Sequence, residues 1–438
     1  MLASTSLYSI MCAHAAFFLV FEKFSEIFPG CGLFFILFLL SMCYNVKEKM
    51  QDGGNPHMVC QKEGSMKKRD ASIELFRIIG ALMVVGTHAK LPMVMDGQPD
   101  LLRILFACLV GDGVAVFWLV LGCFYFKSDY KTHLVRLLKR TIIPLFIVSV
   151  IWFFFMDWIL GTKTFSESIS HPLSDYKAVL KGILVWENRL PTMAGHFWYM
   201  YTYTVVILLF PILKGGRDQI GKYKNGPVVS MIAILLLLTV NDLTLNGLLE
   251  FTTHTILGAA AAFVFVLSGD VIYGNREKIQ ENGKIRILSA LVFIFVLLIR
   301  IFVQYKCLFR NPPSEHPIFW YSAFSYLQVL SMMVFLLSFS EGLAKHEKIF
   351  KAIRHIGSRT FYIYIVHPAL MNFRFMNRVR DGIYGTFGSS GFKGVLYELF
   401  WMLASFAVSY IISEIICQLI RIPSYLKNTR KEINRTLR

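Results

Sequence analysis

The sequence predicts an all-α fold: a polytopic helical membrane bundle of about ten transmembrane helices with both ends cytoplasmic. Three observations predict it. The chain of 438 residues is 55% hydrophobic and only 17% charged, with a mean hydropathy of +0.54, far from a soluble domain. Its apolar runs are long and continuous rather than alternating, which argues against a β-barrel. Its loop charges alternate in the sense that fixes membrane orientation.

The spans follow from hydropathy in chain order: 71–91, 102–126, 141–160, 197–213, 227–241, 253–273, 287–304, 319–340, 360–376 and 396–420, the fifth and ninth being short. If residues 67–69 are cytoplasmic, every second connection is too. Those connections and the tail from Arg421 hold 27 Lys and Arg, against 10 in the others. The formal net charge of +17 is therefore read as basic loops meeting anionic lipid, with no nucleic-acid partner. The eight cysteines show no CxxC and no metal spacing, and read as small apolar residues. The connection 161–196 is the longest, and its stretch "YKAVLKGILVWE" is weakly amphipathic enough to lie on the membrane surface.

Residues 1–65 stand apart. Their apolar stretch "CGLFFILFLLSMC" is short for a span, whereas Met66 opens "MKKRD", a natural basic entry to the first span. Two readings are open: an extension that is not translated, or an extra hydrophobic segment. The division expected is thus 1–65 as extension, 66–425 as membrane domain and 426–438 as basic cytoplasmic tail.

The first span carries the polar groups that need explaining. "SIELFRIIGALMVVGTHA" is apolar except chiefly for Glu74, Arg77 and His88. At 100° per residue all three fall within a sector of about 60°, so one face of the helix is polar. Glu74 and Arg77 are an i, i+3 pair able to neutralise each other. Arg77 and His88 lie about 16 Å apart along the axis. Intramembrane ionisable groups are costly and mark function or an interhelical ion pair; three on one face favour function. Elsewhere, Asp112 lies deep in the second span and seeks Arg103 or an arginine of another helix, and His367 precedes the helix-bending Pro368.

"RDASIELFRIIGALMVVGTHA", with Arg followed eleven residues later by His, resembles the first helix of the acyltransferase family 3 membrane proteins. "GVAVFWLVLGCF", "VRLLKRTIIP", "GHFWYMY" and "IGSRTFYIYIVHP" resemble that family's second, third, fourth and ninth helices, in the same order. The resemblance covers residues 66 to about 425. Two departures stand out: Leu121-Gly122 replaces the family's usual Ser-Gly, and Glu74 replaces the commoner Asp.

The resemblance implies a multi-pass enzyme of a bacterial cytoplasmic membrane. It would move an acyl group, usually acetyl, from cytoplasmic acyl-CoA to a hydroxyl of a surface polysaccharide or lipid-linked glycan. No cofactor is bound; acyl-CoA is the donor substrate. Arg136, Lys139 and Arg140 would grip CoA phosphates at the inner mouth, a role compatible with positive-inside anchoring. His88 is the general-base candidate, because histidine titrates near neutral pH. Arg77, next to Glu74, would orient the thioester or stabilise its carbonyl oxygen. His196, Trp198, Tyr199 and His254 form the expected acceptor pocket, although interfacial aromatics also occur as a belt. Direct transfer and an acyl-histidine intermediate are both open.

There is no GxSxG, P-loop or HExxH, so acyl transfer would fall to the membrane region itself. The rival class is a transporter or flippase, which also keeps intramembrane charge. Such proteins are often built from repeated halves, and no repeat is evident between the halves of this sequence.

Overall fold

The computed structural model describes residues 70–144, 158, 163–167, 198–223, 225–245, 256–309, 313–319 and 321–436. His196, His254, residues 1–65, most of the third span and the amphipathic stretch after it lie outside the described residues. The chain divides into two units. One is Lys67–Ser413; the other is formed by Met1–Met66 and Glu414–Arg438. In the second unit the described residues are the far part of one helix.

The fold is all-α and membrane-like. Its helices are α1 (Ala71–Ala89), α2 (Leu101–Val110), α3 (Gly113–Tyr125), α4 (Tyr130–Leu137), α5 (Trp198–Leu208), α6 (Phe210–Ile220), α7 (Gly226–Leu245), α8 (Ile256–Gly274), α9 (Gly283–Leu308), α10 (Ala323–Leu337), α11 (Glu347–Gly357), α12 (Thr360–Met371), α13 (Arg374–Phe387) and α14 (Gly391–Thr436). The only sheet among the described residues is a hairpin, Val94–Met95 against Gln98–Pro99, turned by Asp96 and Gly97 at positive φ. Four helical stretches among the described residues are long and apolar enough to cross a membrane: Ala71–Ala89, Leu101–Tyr125, Gly283–Leu308 and Gly391–Gln418.

Among the described residues the helices depart from the expected spans at several points, beginning with the second, which is divided at Gly111 and Asp112 into α2 and α3. The fifth span is no short helix: α7 runs twenty residues. The ninth ends at Met371, and the separate α13 begins at Arg374. The fourth breaks at Leu209, where Pro211 in the first turn of α6 favours a new helix start.

Helix α1 sits at the centre, packed on α2, α3, α10, α11 and α12. Asp70 caps it by accepting from the Ser72 amide at 2.9 Å, and also accepts the Ser340 hydroxyl at 2.7 Å. In a bilayer, helices associate through close packing and hydrogen bonds rather than hydrophobic burial. The α3–α8 contact follows that rule. A Cβ on Gly122 would stand 2.1 Å from the Val266 carbonyl oxygen, and one on Gly269 would stand 2.2 Å from that of Leu119. Glycine is required on both helices for the backbones to meet.

Helix α9 is divided along its length. Ile287, Leu291, Phe295, Leu298 and Phe302 are exposed, a lipid-facing stripe. Ser289, Val296, Arg300 and Gln304, at helical spacing, are buried. Arg300 answers what Asp112 seeks. The guanidinium is wholly buried, and donates to both Asp112 oxygens at 2.7 and 2.8 Å and to the Gln328 side chain at 3.0 Å. Its partner is therefore Arg300 rather than Arg103, which instead donates to the Pro92 and Ser389 carbonyls.

Asp112 sits where α2 gives way to α3, and such a break frees carbonyls that lipid cannot satisfy. Neighbouring side chains satisfy them. Arg300 and Gln328 both donate to the Cys108 oxygen, at 3.1 and 3.2 Å, and the Thr87 hydroxyl donates to that of Val110 at 2.9 Å.

Candidate active site

Glu74 and Arg77 lie on the face of α1 that meets α11 and α12. Arg77 donates to the two Glu74 oxygens at 3.4 and 3.3 Å, and to the Thr360 hydroxyl at 3.3 Å. The Thr360 hydroxyl, at the start of α12, donates in turn to the Gly357 carbonyl at 3.0 Å. Gly357 ends α11 tight against the carboxylate: a Cβ there would stand 2.3 Å from Glu74 Oε2. Glu74 is buried, while Arg77 keeps about a quarter of its side chain exposed. The pair is neutralised without being sealed, so the guanidinium can still meet a ligand.

About 16 Å further along the helix stands His88. Its ring faces His367 of α12, with 5.2 Å between centroids and 53° between planes. His88 is exposed, while His367 is fully buried. The Thr87 hydroxyl bonded to Val110, together with the Leu91 amide donating to Glu398 at 2.6 Å, fixes this end of α1. Helices α1 and α12 thus run beside each other, with Thr360 next to Arg77 and His367 next to His88.

A family model for an acyltransferase domain, acyltransferase family 3, matches residues 70–414. The chain belongs to that family. It is an acyltransferase with a membrane-type helical architecture. No curated protein and no solved structure matches the chain.

Among the acyltransferase's aromatic residues, a continuous line leads away from His367. Tyr364 lies 6.1 Å from it, Tyr199 5.7 Å from Tyr364, and Trp118 4.5 Å from Tyr199. Tyr203, one turn along α5, stacks on Tyr199 at 6.5 Å. Tyr199 packs between Trp118 of α3 and Tyr364 of α12. Trp198 is half-buried, its ring edge-on to Tyr199 at 6.4 Å.

Arg136, Lys139 and Arg140 are exposed at the end of α4. Lys139 and Arg140 fall in a π-helical turn, Leu138–Ile142, a local widening often found at functional sites. Arg136 donates to the Ser128 hydroxyl at 3.3 Å. Beneath this cluster His133 is buried, its Nε2 on the Tyr125 carbonyl at 2.8 Å, which makes that nitrogen the donor. Burial holds the His133 ring below the usual histidine range.

Of the expected acceptor residues, Trp198 and Tyr199 are described, whereas His196 and His254 are not. The sequence alone does not single out Thr360, Tyr364 and Gly357. A signal was available: Thr360, Tyr364 and His367 are spaced i, i+4, i+7, so they share one face of an otherwise apolar helix.

Proposed function

We propose that the chain is an O-acyltransferase of a bacterial cytoplasmic membrane. It moves an acetyl group from cytoplasmic acetyl-CoA to a hydroxyl of a surface polysaccharide or lipid-linked glycan. Ten spans place both ends and the Arg136 cluster in the cytoplasm and His88 near the outer face.

One observation carries this reading: the polar stripes of α1 and α12 run together, with Arg77 against Thr360 at one level and His88 against His367 at another. Arg136, Lys139 and Arg140 grip the phosphates of CoA. The pantetheine arm passes Tyr203 and Tyr199, so Tyr199 serves the donor as well as the rim of the acceptor pocket with Trp198, His196 and His254. Arg77, its charge balanced by Glu74, holds the pantetheine arm so that the arm presents the thioester to His88, about 16 Å further along α1. His88 takes the proton of the acceptor hydroxyl. The hydroxyl oxygen then bonds to the acyl carbon, the carbon–sulfur bond breaks, and the thiolate leaves with a proton.

The test is CoA thiol release from acetyl-CoA by the purified full chain with an acceptor glycan. Release that depends on protein and is lost in H88A supports the reading. No release above the protein-free rate, in a preparation that melts cooperatively, contradicts it.

A further inference from the structure

His367 and Pro368 act as one device. An α-helical Pro368 has no N–H for the carbonyl four residues back, that of Tyr364. An orphaned carbonyl is costly in a dry bundle. His367 fills the gap. Its Nδ1 lies 2.9 Å from the Tyr364 oxygen and 3.1 Å from that of Ile363. A carbonyl oxygen only accepts, so Nδ1 must carry the proton. In the neutral ring Nε2 is then the nitrogen with the lone pair. The carbonyl freed by the proline does not merely tolerate a buried histidine; it selects its tautomer.

The ring so fixed faces His88. We infer that His367 is a positioning residue for His88, an inference that rests on the acyltransferase reading. Its Nε2 accepts the ring N–H of His88 and leaves the other His88 nitrogen with its lone pair turned to the acceptor hydroxyl. At 5.2 Å between centroids, a rotation of the exposed His88 ring or one bridging water completes the bond. The proton count of His367 stays constant. The hydroxyl proton goes to His88 and from there to the departing thiolate as the ester bond forms and the thioester bond breaks. The logic is that of the buried carboxylate which orients a catalytic histidine in a hydrolase triad, with a neutral acceptor in its place. The Asn372 side chain donates to the Pro368 carbonyl at 2.7 Å and holds the next turn of the helix.

Two near-isosteres separate this role from a structural one. An Asn side-chain amide reaches the place of Nδ1 and keeps the bond to the Tyr364 carbonyl, but offers nothing where Nε2 was. A Gln side chain reaches the place of Nε2 and offers an acceptor there. The full chain carrying H367N, H367Q or H367A is assayed for acetyl transfer from acetyl-CoA, with melting temperature measured alongside. H367N is expected to melt near wild type, with kcat down at least about tenfold and KM for acetyl-CoA unchanged. H367Q is expected to recover most of kcat. H367N with wild-type kcat, or H367Q no more active than H367A at equal folded fraction, overturns the positioning role while wild-type activity still upholds the acyltransferase. Wild-type protein without activity overturns the acyltransferase reading itself.

Discussion

Replacing Gly357 by Ala tests the link between backbone packing and the Arg77 site. The added Cβ would lie 2.3 Å from Glu74 Oε2, against the 3.4 Å at which ordinary contact begins, so the oxygen must retreat by about 1 Å. The Glu74 Cβ and main-chain oxygen, both 3.3 Å away, need only small shifts. Arg77 holds Glu74 at 3.3 and 3.4 Å, already long bonds, and a further 1 Å takes them out of hydrogen-bond range. The freed guanidinium then loses the geometry that Thr360 alone cannot fix. Overpacking of this kind costs about 1–3 kcal/mol, and a 1 Å misplacement near reacting groups is worth on the order of 100-fold in rate. The expected result for G357A is a small fall in melting temperature and about a 10–100-fold fall in kcat/KM for acetyl-CoA. Shortening the carboxylate by one methylene should relieve the clash, so G357A/E74D should exceed G357A in activity. A fully active G357A, or a double variant no better than the single, would show that Gly357 does not set the Arg77 geometry.

Further expectations concern other parts of the molecule. D112A leaves Arg300 buried without its bidentate partner and should cost about 3–5 kcal/mol, read as a large loss of thermal stability in detergent. R136E/R140E should raise KM for acetyl-CoA with kcat little changed; correctly inserted protein with unchanged KM would leave those residues only an anchoring role. The depressed titration of His133 means that the unfolded chain binds a proton there before the folded one does. Its contribution to stability is therefore complete above the unfolded pKa of about 6.5 and is lost as pH falls through the lower folded value. Melting temperature should drop between pH 7.5 and 5.5 and drop less in H133Q, provided that variant folds.

The all-α class and the central helix were legible because they depend on local signals. Hydropathy marks α1, Asp70 caps it, and a 100° rotation puts Glu74, Arg77 and His88 on one face. The partners of those residues were harder to read, because they come from distant chain. Thr360 reaches Arg77 from 283 residues away, and Arg300 reaches Asp112 from 188. Periodicity shows that a helix has a polar face, not which face it meets. The surroundings of Tyr199 were hidden for a related reason: an aromatic residue at a span's edge suits a pocket or a belt, and only packing places it against Trp118 and Tyr364. Gly357 carried no signal beyond its place in a motif, since a close approach is visible only when both backbones are.

In the proposed function, acetyl passes through the bundle from a donor on the Lys139 face to an acceptor on the His88 face. Sealed membrane vesicles with the Lys139 face outward, loaded with acceptor glycan, test it most directly. Acetyl-labelled acetyl-CoA is supplied outside, and label on glycan is scored after treatment with an impermeant esterase. The expected result is label on lumenal glycan, protected until the vesicles are opened, and none in H88A vesicles of equal protein content. Label that appears only when donor and glycan share one side, or that persists in H88A, would contradict it.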